Sequence, residues 1–418
     1  MVALAFDPLY YSLLVLFSAI IPGMALGWPF LKKSELSALE KLLLCFFIGL
    51  VASPTLLILE NIAGLKFSLY LVFVNLFLLT AAGMFHGIRS GAFGFKLPDF
   101  DFDAVLTPGF AKKHAATVFL LLAILLSFWI RIQSFSPIYS ELDPYFYVYG
   151  SGQIIRLGEV PPADDTAWWP ESKLTTHRSF PSLKMYIEAQ WYALYTGGAE
   201  YNNYLLFVTS SWLQPIVAAL MAFGAYLLFS AYYGKRYGVL AAFLMAFLPI
   251  SIFKMSAGVN EAAPFGMMSI FMTFGVYAAA LKKKDLNLAA IGALVFFAAA
   301  TGSSYEPVLA IPVAGFIALQ ALDYFARGKD IRDFLVLSAI LVAGFLMGVM
   351  VDAVYASGIG SLPAAFTSGP SMALLGALAF AFALDYLHRG GLKEKRRNTL
   401  LVGGVILAAL LLLVPNPI

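Results

Sequence analysis

The chain has one cysteine, Cys45, and it lies inside an apolar run. That excludes an internal disulfide framework and any cysteine-rich metal site. Charge is also scarce: 12% of the 418 residues are Asp, Glu, Lys or Arg, while 61% are hydrophobic and the mean hydropathy is +0.83. A soluble domain is about half apolar and roughly a quarter charged. A soluble protein is therefore excluded, and an all-α polytopic membrane protein is left. No soluble domain, coiled coil or low-complexity tract interrupts the pattern. The net charge of +3 is small and gives no reason to expect a nucleic-acid partner.

What is present is a series of long apolar runs. A spanning helix needs about 20 mostly apolar residues. By that measure twelve spans are expected, near 9–28, 42–59, 66–86, 115–133, 204–231, 237–254, 262–281, 285–301, 306–325, 332–356, 370–387 and 398–414. The first has no basic start and others follow it, so it does not read as a cleavable signal peptide.

The basic residues orient the chain. With the N-terminus outside, the inner segments hold all but seven of the 27 lysines and arginines. The seven are Lys66, Arg131, Arg156, Lys173, Arg178, Lys184 and Lys254. One stretch tests this topology. "SFPSLKMYIEAQWYALYTG", Ser179 to Gly197, is apolar at helical spacing but carries Lys184, Glu188 and Gln190. A span there would move every later basic loop outside. It reads instead as an amphipathic helix in the outer interface. The chain then divides into a three-span N-terminal part (residues 1–114) with a basic inner loop, and a larger part (115–418). The larger part contains a long outer loop (134–203). Long loops are uncommon and often functional, so function is sought there.

That loop opens with "YSELDPYFYVYGSGQIIRLGEVPP", Tyr139 to Pro162. Asp143 before Pro144 reads equally as a helix N-cap or as a carboxylate placed for chemistry. Further on lie Asp164 and Asp165, Trp168 and Trp169, then Lys173, His177 and Arg178. These fit interfacial anchors with solvated charges, or a polar cleft whose cations meet a phosphate. A second outer segment, "IFKMSAGVNEAAPFGMMSIF", brings Lys254, Asn260 and Glu261 to the same side. Ionisable groups at a bilayer boundary are expensive and usually paired or functional. Carboxylates such as Asp143 and Glu261 suit a hard cation, Mg²⁺ or Mn²⁺. A third outer helix end, "ATGSSYEPV", offers Ser304 and Tyr305 beside small residues. The acid-rich "DFDFD", Asp99 to Asp103, lies in a basic inner loop and reads as solvated.

These segments together resemble the catalytic subunit of oligosaccharyltransferase, a membrane glycosyltransferase of the GT-C type. The resemblance rests on "ELDPYFYVYGSGQIIRLGEVP" after a span, on Lys254-Met255-Ser256-Ala257-Gly258-Val259-Asn260-Glu261 in the second outer loop, and on "TGSSYEPV". It covers about residues 115–414. Lys254 stands at an Arg position of the family pattern, Glu261 at its first acid, and Ala263 where a second acid is usual. The resemblance implies a GT-C-like transmembrane domain that transfers a glycan from a polyprenyl-phosphate or diphosphate carrier, outside the membrane. It implies a divalent metal on Asp143 and Glu261, with Asn260 as a further oxygen. Lys254, His177 and Arg178 would contact the donor phosphate. Asp164 or Asp165 would orient the acceptor or act as base, and Trp168, Trp169, Ser304 and Tyr305 would line the pocket. The acceptor is a protein or a lipid, and the setting a prokaryotic, by resemblance archaeal, cell membrane.

A late outer loop with a catalytic glutamate and a soluble acceptor-reading domain, both usual in the family, have no counterpart in these 418 residues. The expectation is a short relative, or one part of an enzyme completed by a second polypeptide. Two rivals remain at this level: a GT-C enzyme moving a single sugar from a polyprenyl monophosphate, and a non-catalytic membrane partner or transporter.

Overall fold

The computed structural model describes residues 6–93, 108–135, 139, 141–161, 182–303, 306–389, 398 and 404. Among the described residues there are helices and no strands. In order they are α1 (Pro8–Leu31), α2 (Ala38–Ile62), α3 (Leu69–Arg89), α4 (Pro108–Ile132), α5 (Asp143–Leu157), α6 (Ser182–Thr196), α7 (Asn203–Ser210) and α8 (Leu213–Tyr233). Then come α9 (Lys235–Phe247), α10 (Pro249–Lys254), α11 (Ala263–Lys283), α12 (Leu286–Gly302), α13 (Glu306–Ala326), α14 (Arg332–Ser357), α15 (Leu362–Thr367) and α16 (Gly369–Arg389).

Several helices start where a side chain satisfies the free N–H groups of the first turn. Asp7 accepts from the N–H groups of Leu9 and Tyr10 at the head of α1. Ser37 and Glu40 form a reciprocal capping box on α2. Asp285 at α12 and Asn202 at α7 each accept first-turn N–H groups with a side-chain oxygen.

Nine segments among the described residues are long and apolar enough to cross a membrane. They correspond to nine of the expected spans, with α7 and α8 together forming one of them. The expected span at 398–414 and the "DFDFD" stretch lie outside the described residues. α12 has 17 residues, about 26 Å of helix, slightly short of a typical hydrocarbon core. The expected span at 237–254 is instead two helices, α9 of 13 residues and α10 of 6, broken at Leu248. Pro249 has no N–H to give back to the preceding turn, and its ring disfavours helical backbone at Leu248. Leu248 accordingly takes ψ 118°.

α6 also differs from its expected place. It is 15 residues long, about 22 Å, too short to span. Yet it does not lie on a surface. All of its residues except Leu194 are buried, and it packs on α1, α2, α3, α5, α7 and α12. Its polar side chains turn toward other polar side chains, not toward water.

The first three helices are joined tightly. A Cβ at Gly23 or Gly49 would strike backbone of the partner helix, and one at Gly83 would come within 2.6 Å of Ala25 O. Small residues at such crossings let helices approach closely. This trio rests on α6, α12 and α14. The basic helix ends gather at one end of the molecule. There Lys32 Nζ donates to Gly91 O, Lys283 pairs with Glu35, Lys284 pairs with Asp333, and Asn287 donates to Phe30 O.

Candidate active site

The opposite end is built around the start of the long loop. Tyr139 is buried; its hydroxyl donates to Phe207 O at 3.0 Å and its N–H donates to the Tyr145 hydroxyl at 3.1 Å. Its ring meets those of Tyr145 and Phe207 edge-on. This anchor fixes Glu141, two residues on. α5 then runs to Gly158, which ends it in a left-handed turn at φ 82°. Gly158 O accepts from Phe67 N–H at 2.7 Å, tying α5 to the α2–α3 turn.

The second segment is held by Arg131, the last basic residue of α4. Its guanidinium is fully buried and donates to Met245 O at 3.3 Å, Ala246 O at 3.1 Å and the Ser251 hydroxyl at 2.8 Å. Pro249 releases carbonyls of the preceding turn, and the forked guanidinium serves two carbonyls there at once. The Arg131 carbonyl accepts from Ala257 N–H at 3.2 Å. The link from Met255 to Ala262 is thereby pinned to the end of α4.

These anchors bring Glu141, Lys254 and Glu261 together. Lys254 Nζ stands 3.0 and 3.2 Å from the two oxygens of Glu141 and 3.2 Å from Glu261 Oε1. Glu261 is 8% exposed. Burial, and the Glu141 carboxyl hydrogen-bonded to it, raise the Glu261 carboxyl above the usual range. Glu141 is held below that range by its hydrogen bonds to Glu261 and Lys254. The Lys254 ammonium is held up, chiefly by Glu141. The deeper acid is thus the one that keeps a proton more readily.

Behind this group lies a second polar cluster. Lys184 Nζ is 2.6 Å from Glu188 Oε1, and both side chains are fully buried. Glu188 also accepts from the Ser151 hydroxyl at 2.7 Å and from Asn260 Nδ2 at 2.9 Å. Asn260 Oδ1 accepts from Gln214 Nε2 at 2.6 Å, and the same Gln214 group donates to Glu261 O at 3.0 Å. The Lys184 ammonium also stands 5.2 Å from the centre of the Tyr147 ring. Burial pulls the Lys184 ammonium down and Glu188 opposes that shift. The cluster joins α5, α6, α8 and the 255–262 link.

Lys254 and Glu261 therefore meet as the sequence implies, with Asn260 beside them. Asn260 spends both ends of its amide on Gln214 and Glu188. Asp143 is exposed in the first turn of α5; the N-cap is Leu142, and no side-chain cap bond is made. Asp143 is thus not a cap. Asp164, Asp165, Trp168, Trp169, His177, Arg178, Ser304 and Tyr305 lie outside the described residues. Sequence reasoning left Glu141 unassigned and missed Arg131 and the buried pair Lys184–Glu188. The one signal for that pair was its i, i+4 spacing in an otherwise apolar helix.

The donor set around Glu261 does not fit a divalent cation. An ammonium occupies the place a cation would take. Among the described residues no group of three or more His, Cys, Asp or Glu side chains comes together.

No family model matches the chain. Over 243 residues, 56% of its length, it is 23% identical to the dolichyl-diphosphooligosaccharide–protein glycosyltransferase subunit STT3A of Oryza sativa subsp. japonica, covering 30% of that protein. Among solved structures it is similar to the archaeal oligosaccharyltransferase AglB of Archaeoglobus fulgidus in complex with an inhibitory peptide and a dolichol-phosphate. That match has a TM-score of 0.55 and 16% identity, over 72% of this chain and 37% of that one. The apo form of the Archaeoglobus fulgidus oligosaccharyltransferase gives a TM-score of 0.57 at 17% identity, over 73% and 38%. A form with Zn and sulfate gives 0.55 at 17%, over 70% and 39%. The fold is that of an oligosaccharyltransferase transmembrane region, and the chain spans about a third of the length of these relatives.

Proposed function

We propose that this chain is the membrane part of an oligosaccharyltransferase-like glycosyltransferase. It takes a glycan from a polyprenyl-phosphate or diphosphate carrier and passes it to an acceptor on the outer face of a prokaryotic cell membrane. The observation that carries the proposal is the convergence of Glu141, Lys254 and Glu261 at the end of the bundle where the long loop begins. The bundle itself has the fold of a protein solved with a peptide and a dolichol-phosphate. The same two ligand classes, a polyprenyl phosphate and a peptide, are assigned here.

Lys254 has three N–H donors and contacts both oxygens of Glu141 and one of Glu261. Its ammonium, about a third exposed, presents positive charge to a phosphate oxygen, with His177 and Arg178 as further cations. As the glycosidic bond breaks, negative charge collects on the carrier phosphate, and fixed donors there lower the barrier. Asp164 or Asp165 takes the proton of the acceptor as it attacks the opposite face of the sugar. Asp143, exposed in the first turn of α5, contributes charge to the acceptor or donor. Trp168, Trp169, Ser304 and Tyr305 complete the pocket. Mg²⁺ or Mn²⁺ on Asp143 and Glu261 is the cofactor the resemblance implies; the described residues do not assemble its ligand set.

The test is glycan transfer in membranes with a lipid-linked donor and a peptide acceptor. Asp143→Ala and Glu261→Ala should each abolish transfer. Wild-type activity in both, with normal folding, would sink the assignment. A product bearing one sugar instead of a preassembled glycan would favour the monophosphate-donor enzyme.

A further inference from the structure

We infer that the Lys254 ammonium is the resident cation of this site and stands in place of a divalent metal. The inference rests on the reading of Lys254 and Glu261 as the donor-phosphate site. Two acidic side chains, Glu141 and Glu261, converge on one point, each with an oxygen within 3.2 Å of Lys254 Nζ. Such a pair is a natural cation seat, because like charges held together call for a positive group between them. The seat is already taken. Lys254 Nζ contacts both oxygens of Glu141 and one of Glu261 within 3.2 Å.

Three further features make this occupancy a built one. Lys254 ends α10, whose start is set by Pro249 and whose Ser251 is clamped by buried Arg131. Glu141 follows Tyr139, which is hydrogen-bonded at both its hydroxyl and its N–H. The Glu261 carbonyl and the adjacent Asn260 amide oxygen both take hydrogen bonds from Gln214. They are therefore not free to turn toward a metal. A divalent ion at Glu261 would sit against an ammonium and meet strong like-charge repulsion. Displacing the lysine would strand its charge among partly buried acids. An ammonium cannot ligate a metal, since it has donors and no lone pair. It can do what a metal does for a leaving phosphate, which is to present fixed positive charge.

The test reads metal directly, apart from catalysis. The full chain, purified in nanodiscs, is titrated with Mn²⁺, and the free Mn²⁺ signal is followed by electron paramagnetic resonance. Wild type should take up no Mn²⁺ that Glu261→Gln abolishes. Lys254→Met leaves the two carboxylates without their cation, so it should gain one saturable Mn²⁺ site, lost again when Glu261→Gln is added. Glu261-dependent Mn²⁺ uptake by wild type would overturn the inference. So would a folded Lys254→Met protein that takes up none. In parallel, transfer by wild type should change less than twofold on adding a chelator, and a loss restored by Mn²⁺ would count against the inference. If no transfer is seen under any condition, the glycosyltransferase reading fails while the Mn²⁺ titration still decides this one.

Discussion

Lys184 and Glu188 form a charged pair with no solvent contact, 2.6 Å apart. Removing one partner of a buried ion pair leaves an uncompensated charge and costs about 3–5 kcal/mol. Glu188→Ala should therefore lower stability by that order in detergent unfolding measurements. It also strands the Ser151 and Asn260 donors that Glu188 now accepts. Lys184→Met with Glu188→Leu should recover much of the loss, because no charge is left buried. Glu261 supports a second residue-level prediction, of sign. Its carboxyl is raised by burial, so the native state keeps a proton that the unfolded chain gives up. Stability from this group is present below the ordinary glutamate range and is lost as pH rises through the raised value. Glu261→Gln, which stays neutral, should gain stability relative to wild type in thermal unfolding as pH rises over the range above the ordinary glutamate value. A constant difference across that range would contradict the assignment. The meeting of Lys254 with Glu261 was legible in the sequence, because topology put both in one short outer connection between two spans. The role of Glu141 was not. In "ELD" spacing does not say which acid turns inward, and the helix that starts at Asp143 turns that carboxylate out.

Among the elements, apolar length was readable and interruptions were not. The run at 237–254 stays apolar through its break, so composition hides what Pro249 does to the backbone. The break survives because Arg131 binds Met245 O and Ala246 O. In sequence Arg131 was only one basic residue near an outer helix end. Removing this guanidinium should release the turn and the 255–262 link that hangs from the Arg131 carbonyl. Arg131→Met should raise hydrogen exchange across residues 256–262 while leaving the middle of α11 protected. Arg131→Lys should restore little, since a single ammonium does not span two carbonyls and Ser251 as a planar fork does. Equal protection in all three proteins would mean that Arg131 does not hold the link. The case of α6 is the converse. Its Lys, Glu and Gln residues mark a polar face, but helical spacing does not tell whether that face meets water or another polar surface.

For the molecule as a whole, the charge pattern implies a direction that the fold makes testable. The described contacts join Lys32, Lys283, Lys284 and Asp333 to neighbours at one end. At the other end, Tyr139 reaches Phe207 and Lys254 reaches Glu141. Basic loops favour the cytoplasmic side because they resist translocation, so the acidic end should face out. The single native cysteine, Cys45, is buried, which leaves this protein nearly unlabelled by a membrane-impermeant maleimide. Glu200 and Lys329 are exposed at opposite ends of the bundle. Glu200→Cys should label in intact cells, and Lys329→Cys only after the membrane is permeabilised. The reverse pattern would place Glu141, Lys254 and Glu261 in the cytoplasm, where a carrier presenting its glycan outside could not reach them. Orientation therefore carries the functional proposal as directly as any catalytic substitution. It is also independent of whether a second polypeptide is present, because the labelled positions belong to this chain alone.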